Sequence, residues 1–274
     1  MPKNAEYDFK DKEWSDDYKK TRFISSGTFG KVIEVIKKGV DEKRAIKLIS
    51  KTDDFDFDLF KKEVNLLKEL ENNNSIKIFE IYNSDEDYAI VMELCDCNLL
   101  ERLNKTSNGL KVDEIKKILE QLNNTFRIMF KNKIIHRDIK LQNILLKYLD
   151  DQQKDYIVKL TDYGISRHLS TLSKSTAHAG TIQTMAPEVM KDEPNIDKCD
   201  LWSLGVIIYQ LSFKEFPYNK LTEFAIMNQI NAEKQTKFKK TNDKNLDDLI
   251  SKLLMPNPQE RLTWEQYFAH PFFK

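Results

Sequence analysis

The hydrophobic rhythm of the chain changes about a third of the way along, and that change limits the folds open to it. Up to about residue 98 the apolar residues come in short runs, Thr21 to Ile24, Lys31 to Lys37, Arg44 to Ile49 and Tyr88 to Leu94. Brief runs of this kind between turn residues read as strands. One helix interrupts them. From Phe57 to Leu70, the residues Leu59, Phe60, Val64, Leu67 and Leu70 recur near the 3.6-residue period. Later segments read as helices, namely 110–131, 198–211, 222–233 and 246–254. A sheet-rich lobe, a short crossing at about Leu94 to Asn98 and a helical lobe make an α+β molecule with a cleft between lobes, where ligands bind. The stretches 136–144 and 162–188 are turn-rich, and a long irregular loop inside a compact domain usually has a function.

Composition narrows the function. The chain has 274 residues, 40% of them hydrophobic, which is ample for a large core. Lys plus Arg and Asp plus Glu each total 44, and that zero balance argues against a nucleic-acid partner. Three cysteines are an odd number and do not suggest a secreted disulfide scaffold. Cys95 and Cys97 have no second ligand pair nearby, so they read as ordinary cysteines. No apolar run reaches membrane-spanning length, and Met1 to Lys20 is too charged for a signal peptide. The expectation is a soluble, intracellular, cytoplasmic protein.

Several motifs are weak when taken singly. Ser25-Ser26-Gly27-Thr28-Phe29-Gly30-Lys31-Val32 sits between two strand-like runs, and its glycines let backbone N–H groups approach phosphate oxygens. An ordinary glycine hairpin has the same look. Lys47 in Ala45-Ile46-Lys47 and Glu63 on the amphipathic helix fit an ion pair that holds an ammonium against phosphate. A solvated lysine and a surface glutamate fit equally.

The stretch His136-Arg137-Asp138-Ile139-Lys140-Leu141-Gln142-Asn143 is specific. It resembles the catalytic loop of the eukaryotic protein kinase family, serine/threonine type. Asp162-Tyr163-Gly164, Ala186-Pro187-Glu188, Asp200-Leu201-Trp202-Ser203-Leu204-Gly205 and Arg261 follow in the family's order. The likeness runs from about Tyr18 to His270-Pro271-Phe272-Phe273. It implies a bilobal fold with a small antiparallel sheet lobe. Residues 1–17 would be an N-terminal extension and 18–274 a catalytic domain, split into lobes 18–94 and 95–274.

The resemblance also implies ATP and Mg²⁺, and protein substrates with Ser or Thr acceptors. Asp138 would orient the substrate hydroxyl and Lys140 neutralise charge on the moving phosphoryl group. Asn143 and Asp162 are hard oxygen donors suited to Mg²⁺. Lys47 would hold the phosphates, oriented by Glu63, beneath the loop formed by Ile24, Ser25, Gly27 and Gly30. Val32 and Ala45 would cover one face of the adenine and Leu145 the other. Glu93 and Cys95 would offer backbone groups to its edge, with Met92 behind. Thr181 matches a threonine placed against Asp138 and Lys140, and Lys140 itself favours Ser/Thr over Tyr substrates. Glu188 with Arg261 resembles a structural buried ion pair.

Two positions depart from the family pattern. Ser25 replaces the first glycine of the phosphate loop, which is tolerable if that position does not need a positive φ. Tyr163 replaces a phenylalanine, and its ring is expected to stack with His136, Leu67 and Ile78. The family's usual phosphosite position holds Ala177, so Thr176 or Ser175 substitutes, or the loop orders without phosphate. Arg137 and Arg167 are candidates for a phosphate-receiving pocket. Neutral Gln142 and Gln210 predict weak selection for upstream Arg in substrates. Two other readings stand beside the enzyme: a nucleotide- or partner-binding module without transfer, and a small-molecule phosphotransferase of related architecture.

Overall fold

The computed structural model describes residues 7–27, 30–51, 57–163, 167–168, 181–193, 196–218, 222–232 and 238–274, with some of them, Glu63 and Arg167 included, described as backbone only. The chain divides into two units, Met1–Asp96 with Lys147–Lys159, and Cys97–Leu146 with Leu160–Lys274.

The first unit is built on strands β1 (Phe9–Lys10), β2 (Tyr18–Gly27), β3 (Gly30–Lys37), β4 (Glu42–Ser50), β5 (Ile78–Asn83) and β6 (Asp87–Met92), with one helix, α1 (Phe57–Glu69). The sheet order is β1-β5-β6-β4-β3-β2. The neighbours from β5 across to β2 are antiparallel, and β1 lies parallel to β5 on the outer edge. β5 escaped the sequence reading because a bulge between Ile78 and Glu80 breaks its alternation. β1 is too short to show a period.

Each face of the sheet has its own core. Tyr18, Ile33, Val35, Ile46, Tyr82, Ala89 and Val91 bury one face, with Trp14 packed against them. On the other face Phe60 and Val64 of α1 close over Ile78, Ile81, Tyr88 and Ile90. Spacings of four and three residues put Phe60, Val64 and Leu67 on one stripe of the helix.

The second unit begins with β7 (Cys97–Asn98) and α2 (Leu99–Asn104), which Asn98 and Glu101 close with a reciprocal capping box. Next come α3 (Val112–Lys131) and β8 (Ile134–Ile135); β9 (Ile144–Tyr148) and β10 (Tyr156–Leu160) follow, and their inner parts, Lys147–Tyr148 and Tyr156–Lys159, belong to the first unit. β11 (Arg167–His168) pairs antiparallel with β8. The remaining helices are α4 (Pro187–Met190), α5 (Cys199–Phe213), α6 (Glu223–Ala232), α7 (Lys244–Leu253) and α8 (Trp264–Phe268).

Helix α3 buries Ile115, Ile118, Leu119, Leu122, Phe126 and Met129, one apolar stripe with Asp113 and Glu114 at its N-terminal end. Helix α5 is apolar all round and buries every residue from Cys199 to Tyr209, so it is the core of this unit. A Cβ on Gly205 would lie 2.8 Å from Leu253, so glycine lets α7 approach α5 closely. Tyr267 of α8 donates its hydroxyl to Asn123 Oδ1 of α3 at 2.9 Å. The fold is α+β, with a largely antiparallel sheet in the N-terminal part and helices in the C-terminal part, as the rhythm of the sequence predicts.

Candidate functional site

In the second unit the loop after β8 is fixed from beneath. Asp200, in the first turn of α5, is fully buried and accepts the backbone N–H groups of His136 (2.7 Å) and Arg137 (2.8 Å). Burial pushes its carboxyl up, opposed by His136, the two N–H groups and Arg137. This holds Arg137 at φ 70°, a left-handed backbone that a side chain strains. Asp162 has φ 64°, also strained. Such conformations persist where surrounding bonds over-determine them.

His136 links the loop to the strand that leads into Asp162. The Asp138 N–H donates to His136 Nδ1 (3.3 Å), which leaves Nε2–H to donate to the Thr161 carbonyl at 3.1 Å. The Thr161 N–H in turn donates to the Asn143 carbonyl at 3.0 Å, so Asp162 follows directly on a residue bonded to Asn143. Tyr163 is buried and its ring centroid lies 4.9 Å from that of His136, the expected aromatic contact.

Four groups surround the Asp138 carboxylate. Lys140 Nζ lies 2.7 Å from Oδ2, and Asn143 Nδ2 donates to Oδ2 at 3.0 Å. The Thr181 N–H and hydroxyl donate to Oδ1 at 3.2 and 3.0 Å. Lys140 Nζ also donates to Thr181 Oγ1 at 2.9 Å. Burial alone would raise this carboxyl, but the bond and charge from Lys140, with Thr181, hold it below the ordinary carboxylate range. Asp138 is an acceptor-only group in a ring of donors, the state of a carboxylate poised beside a hydroxyl.

Because Asn143 spends its NH₂ on Asp138, its Oδ1 is the atom left for a hard cation. Among the described residues no three His, Cys, Asp or Glu side chains cluster as metal ligands. An amide and one carboxylate fit an Mg²⁺ that leans on phosphate and water rather than a protein cage. Leu145, half-buried on β9, pairs with Asn98 of β7.

In the first unit the ladder sorts the predicted residues onto one face. Directly opposed residues in a sheet share a face. Ser25 pairs with Val32, Val32 with Lys47 and Lys47 with Ile90, while Ala45 pairs with Met92. Lys47 stands two residues from Ala45, so Ser25, Val32, Ala45, Lys47 and Met92 lie together on the side that α1 covers. Ile24 falls at the irregularity between Phe23 and Ser25 and is exposed. Ser25 is an ordinary ladder residue and is absent from the positive-φ positions, whereas Gly30 has φ 122°. A Cβ on Gly30 would sit 2.0 Å from the Leu48 carbonyl oxygen, so glycine is required there. Gly27 closes the ladder opposite Gly30. Glu63 belongs to α1, but its pairing with Lys47 lies outside the described residues.

After β6 the chain passes through Glu93 and Cys95. Glu93 is buried and tied through both backbone and side chain. Its N–H donates to the Lys77 carbonyl (2.9 Å), and its carboxylate accepts from Lys77 N–H (2.8 Å) and pairs with Lys159 at 2.7 Å. Lys159 also donates to the Asn73 carbonyl. Burial and the Glu93 charge push the Cys95 thiol up to about 12, which disfavours its thiolate.

With this geometry in view, the comparison with known proteins is direct. A model of the protein kinase domain matches residues 18–273. The chain belongs to the protein kinase family. It is 32% identical over 269 residues to calcium-dependent protein kinase 4 of Plasmodium falciparum, covering 95% of this chain and 50% of that protein. It is 30% identical over 262 residues to the serine/threonine-protein kinase TIO of Arabidopsis thaliana, covering 94% and 19%. Its identity to the serine/threonine-protein kinase atg1 of Dictyostelium discoideum is 29% over 211 residues, covering 76% and 31%. The chain spans half the length, or less, of these curated relatives. Among the described residues no helix is long and apolar enough to cross a membrane.

Two features of this chain were not visible in its sequence. Lys159, which no sequence motif singles out, is buried against Glu93. Residues 7–17 read as a charged extension, yet they pack on the sheet and on α1. The candidate phosphosites Thr176 and Ser175, and the Arg167 side chain, lie outside the described residues.

Proposed function

We propose that this chain is an active serine/threonine protein kinase that transfers the γ-phosphoryl group of Mg-ATP to Ser or Thr hydroxyls of protein substrates. The observation that carries the reading is the Asp138 carboxylate held by Lys140, Asn143 and Thr181. A carboxylate kept ionised beside an ammonium can orient a substrate hydroxyl while the ammonium faces charge developing on the transferred group. The relatives named as serine/threonine kinases support the choice of acceptor.

Asn143 Oδ1 and Asp162 would hold Mg²⁺, which would offset negative charge on the phosphates. Lys47, oriented by Glu63, is assigned to the phosphates. The turn of Ile24, Ser25, Gly27 and Gly30 covers them with backbone N–H groups. Val32, Ala45, Met92 and Leu145 are assigned to the apolar walls of the adenine site. Glu93 and Cys95 contribute backbone groups only, since the Glu93 carboxylate is engaged by Lys159. The domain boundaries 18–94 and 95–274, a cytoplasmic location and the absence of a nucleic-acid partner belong to the same proposal.

The test is phosphoryl transfer from γ-labelled ATP with Mg²⁺ to a degenerate peptide library. The expected result is label on Ser and Thr peptides and not on Tyr peptides, without dominance of Arg at the third upstream position. Gln142 and Gln210 offer no charge to select that arginine. A library left unlabelled under every activation state overturns the reading, and label confined to Tyr overturns the acceptor class.

A further inference from the structure

Residues 7–17 precede the residues matched by the kinase-domain model, and their packing carries an inference of its own. β1 adds to the outer edge of the sheet with Phe9 opposite Ile81 and Lys10 opposite Tyr82. Strand side chains alternate between faces, so these two neighbours go to opposite sides of the sheet. Phe9 reaches the face that α1 covers, and Lys10 reaches the other.

On the helix side the contacts run the length of α1. The Phe9 ring meets Phe57 and Phe60 edge-on, with centroids 5.5 and 6.1 Å apart. The Tyr7 N–H donates to Asn65 Oδ1 at 3.0 Å, and Lys68 Nζ lies 4.2 Å from the centre of the Tyr7 ring. First, middle and last turns of the helix therefore all touch this segment.

On the far side it is fastened by charge and by an indole. Lys10 pairs with Glu80 at 3.3 Å, and the single Tyr82 hydroxyl lies within hydrogen-bond distance of both Asp17 (2.5 Å) and Glu80 (2.8 Å). The Trp14 side chain packs against the sheet core, and its backbone N–H donates to Ser84 Oγ at 3.3 Å. Burial works against the Glu80 carboxylate, but Tyr82, Tyr18, Lys37 and Lys10 hold it down to about 2. This anchor stays charged at any working pH.

The strip that Phe9 supports is the strip that Lys47 shares. Phe9 opposes Ile81, Ile81 opposes Ile90, and Ile90 opposes Lys47. Val64, the residue after Glu63, packs into the same cluster as Ile81 and Ile90. Loosening Phe9 therefore loosens the seat of α1 on the very rows that carry Lys47.

We propose that residues 7–17 are a built-in clamp that seats α1 on the sheet, with Phe9 a positioning residue acting through α1 on Glu63 and Lys47. The inference rests on the kinase reading for what the clamp serves, though not for the clamp itself.

The test compares wild type with Phe9→Ala and Phe9→Leu in the whole chain, by amide hydrogen exchange and by kinetics. Phe9→Ala is expected to speed exchange of the α1 amides about tenfold, leaving α3 and α5 unchanged, and to lower kcat about tenfold at unchanged KM for the peptide. Phe9→Leu, which refills much of the apolar volume, restores most of both. If α1 exchange in Phe9→Ala stays within about twofold of wild type, the clamp is overturned whatever the activity. If α1 exchange rises while kcat holds, the positioning role is overturned. A wild type that labels no peptide, with α1 exchange still dependent on Phe9, overturns the kinase reading and leaves the clamp standing.

Discussion

Replacing Asp138 by Asn tests the candidate site twice, because its surroundings are all donors. On one carboxylate oxygen sit Lys140 Nζ and Asn143 Nδ2, on the other the Thr181 N–H and hydroxyl. An asparagine must point its NH₂ at one of these pairs. Turned toward Lys140, it faces two groups with no acceptor to give. Turned toward Thr181, only the rotatable hydroxyl can accept, and the backbone N–H is left unmatched. One buried donor without an acceptor costs about 1–3 kcal/mol. Loss of a positioned acid–base group costs about 10²–10⁴ in rate, or about 3–5 kcal/mol of barrier. Asp138→Asn is therefore expected to cut kcat by at least about a hundredfold and to lower the melting temperature by a few degrees. Single-turnover phosphoryl transfer and calorimetry on the same preparation check both. If Asp138→Asn kept a tenth of wild-type kcat, or melted higher than wild type, the donor-ring argument would be wrong.

The other expectations are shorter. Gly30→Ala is expected to raise KM for ATP at least about tenfold, since its Cβ would collide with the Leu48 carbonyl at a positive φ. Ser25→Gly is expected to change KM for ATP less than about twofold, because Ser25 needs no glycine conformation; titrations with labelled nucleotide check both. Lys140→Met moves the acid limb of the kcat/KM profile to higher pH. The reason is that Lys140 holds the Asp138 carboxyl below its ordinary range, so without it burial dominates and the carboxylate is lost earlier as pH falls. The same sign applies to stability: the contribution of Asp138 is present above its unfolded value and is lost as pH falls through the lower folded one. Arg261→Met strands Glu188, whose carboxylate meets the guanidinium at 2.5 and 2.8 Å with both side chains fully buried. Denaturant unfolding should show a loss of about 3–5 kcal/mol, much of it recovered when Glu188 is made Leu as well.

What the sequence revealed follows from which forces leave a local trace. Helices α1 and α3 announce themselves because burial on one side imposes a period, and strands β3 and β4 because cores on both faces leave short apolar runs. The α+β class was legible for that reason. β5 was not, since the bulge at Phe79 shifts its phase midway. β1 was not, since two residues carry no period and its anchors, Phe57, Phe60 and Tyr82, lie dozens of residues away. In the candidate site, Asp138, Lys140 and Asn143 were legible as a motif, and Thr181 meets them in space. The partners that fix them left no signal. Nothing near Asp200 in the sequence says that it accepts two N–H groups from residues 63 and 64 positions earlier.

The candidate residues of the two units are held by different physics, and that predicts how each set fails. In the first unit the candidate residues share a face because a ladder with period two puts them there. A ladder tolerates changes on its surface and fails where a backbone contact leaves no room, as at Gly30. In the second unit the loop carries strained backbone at Arg137 and a buried carboxylate at Asp138, both sustained by hydrogen bonds from other segments. Burial opposes the ionised form at Asp138 and at Asp200 alike, yet only Asp138 has an ammonium in contact, and only Asp138 is held below its ordinary range. The loop thus keeps its one carboxylate ionised inside a ring of donors. The carboxylate that burial penalises stays underneath, where its work is to hold the backbone that presents the other.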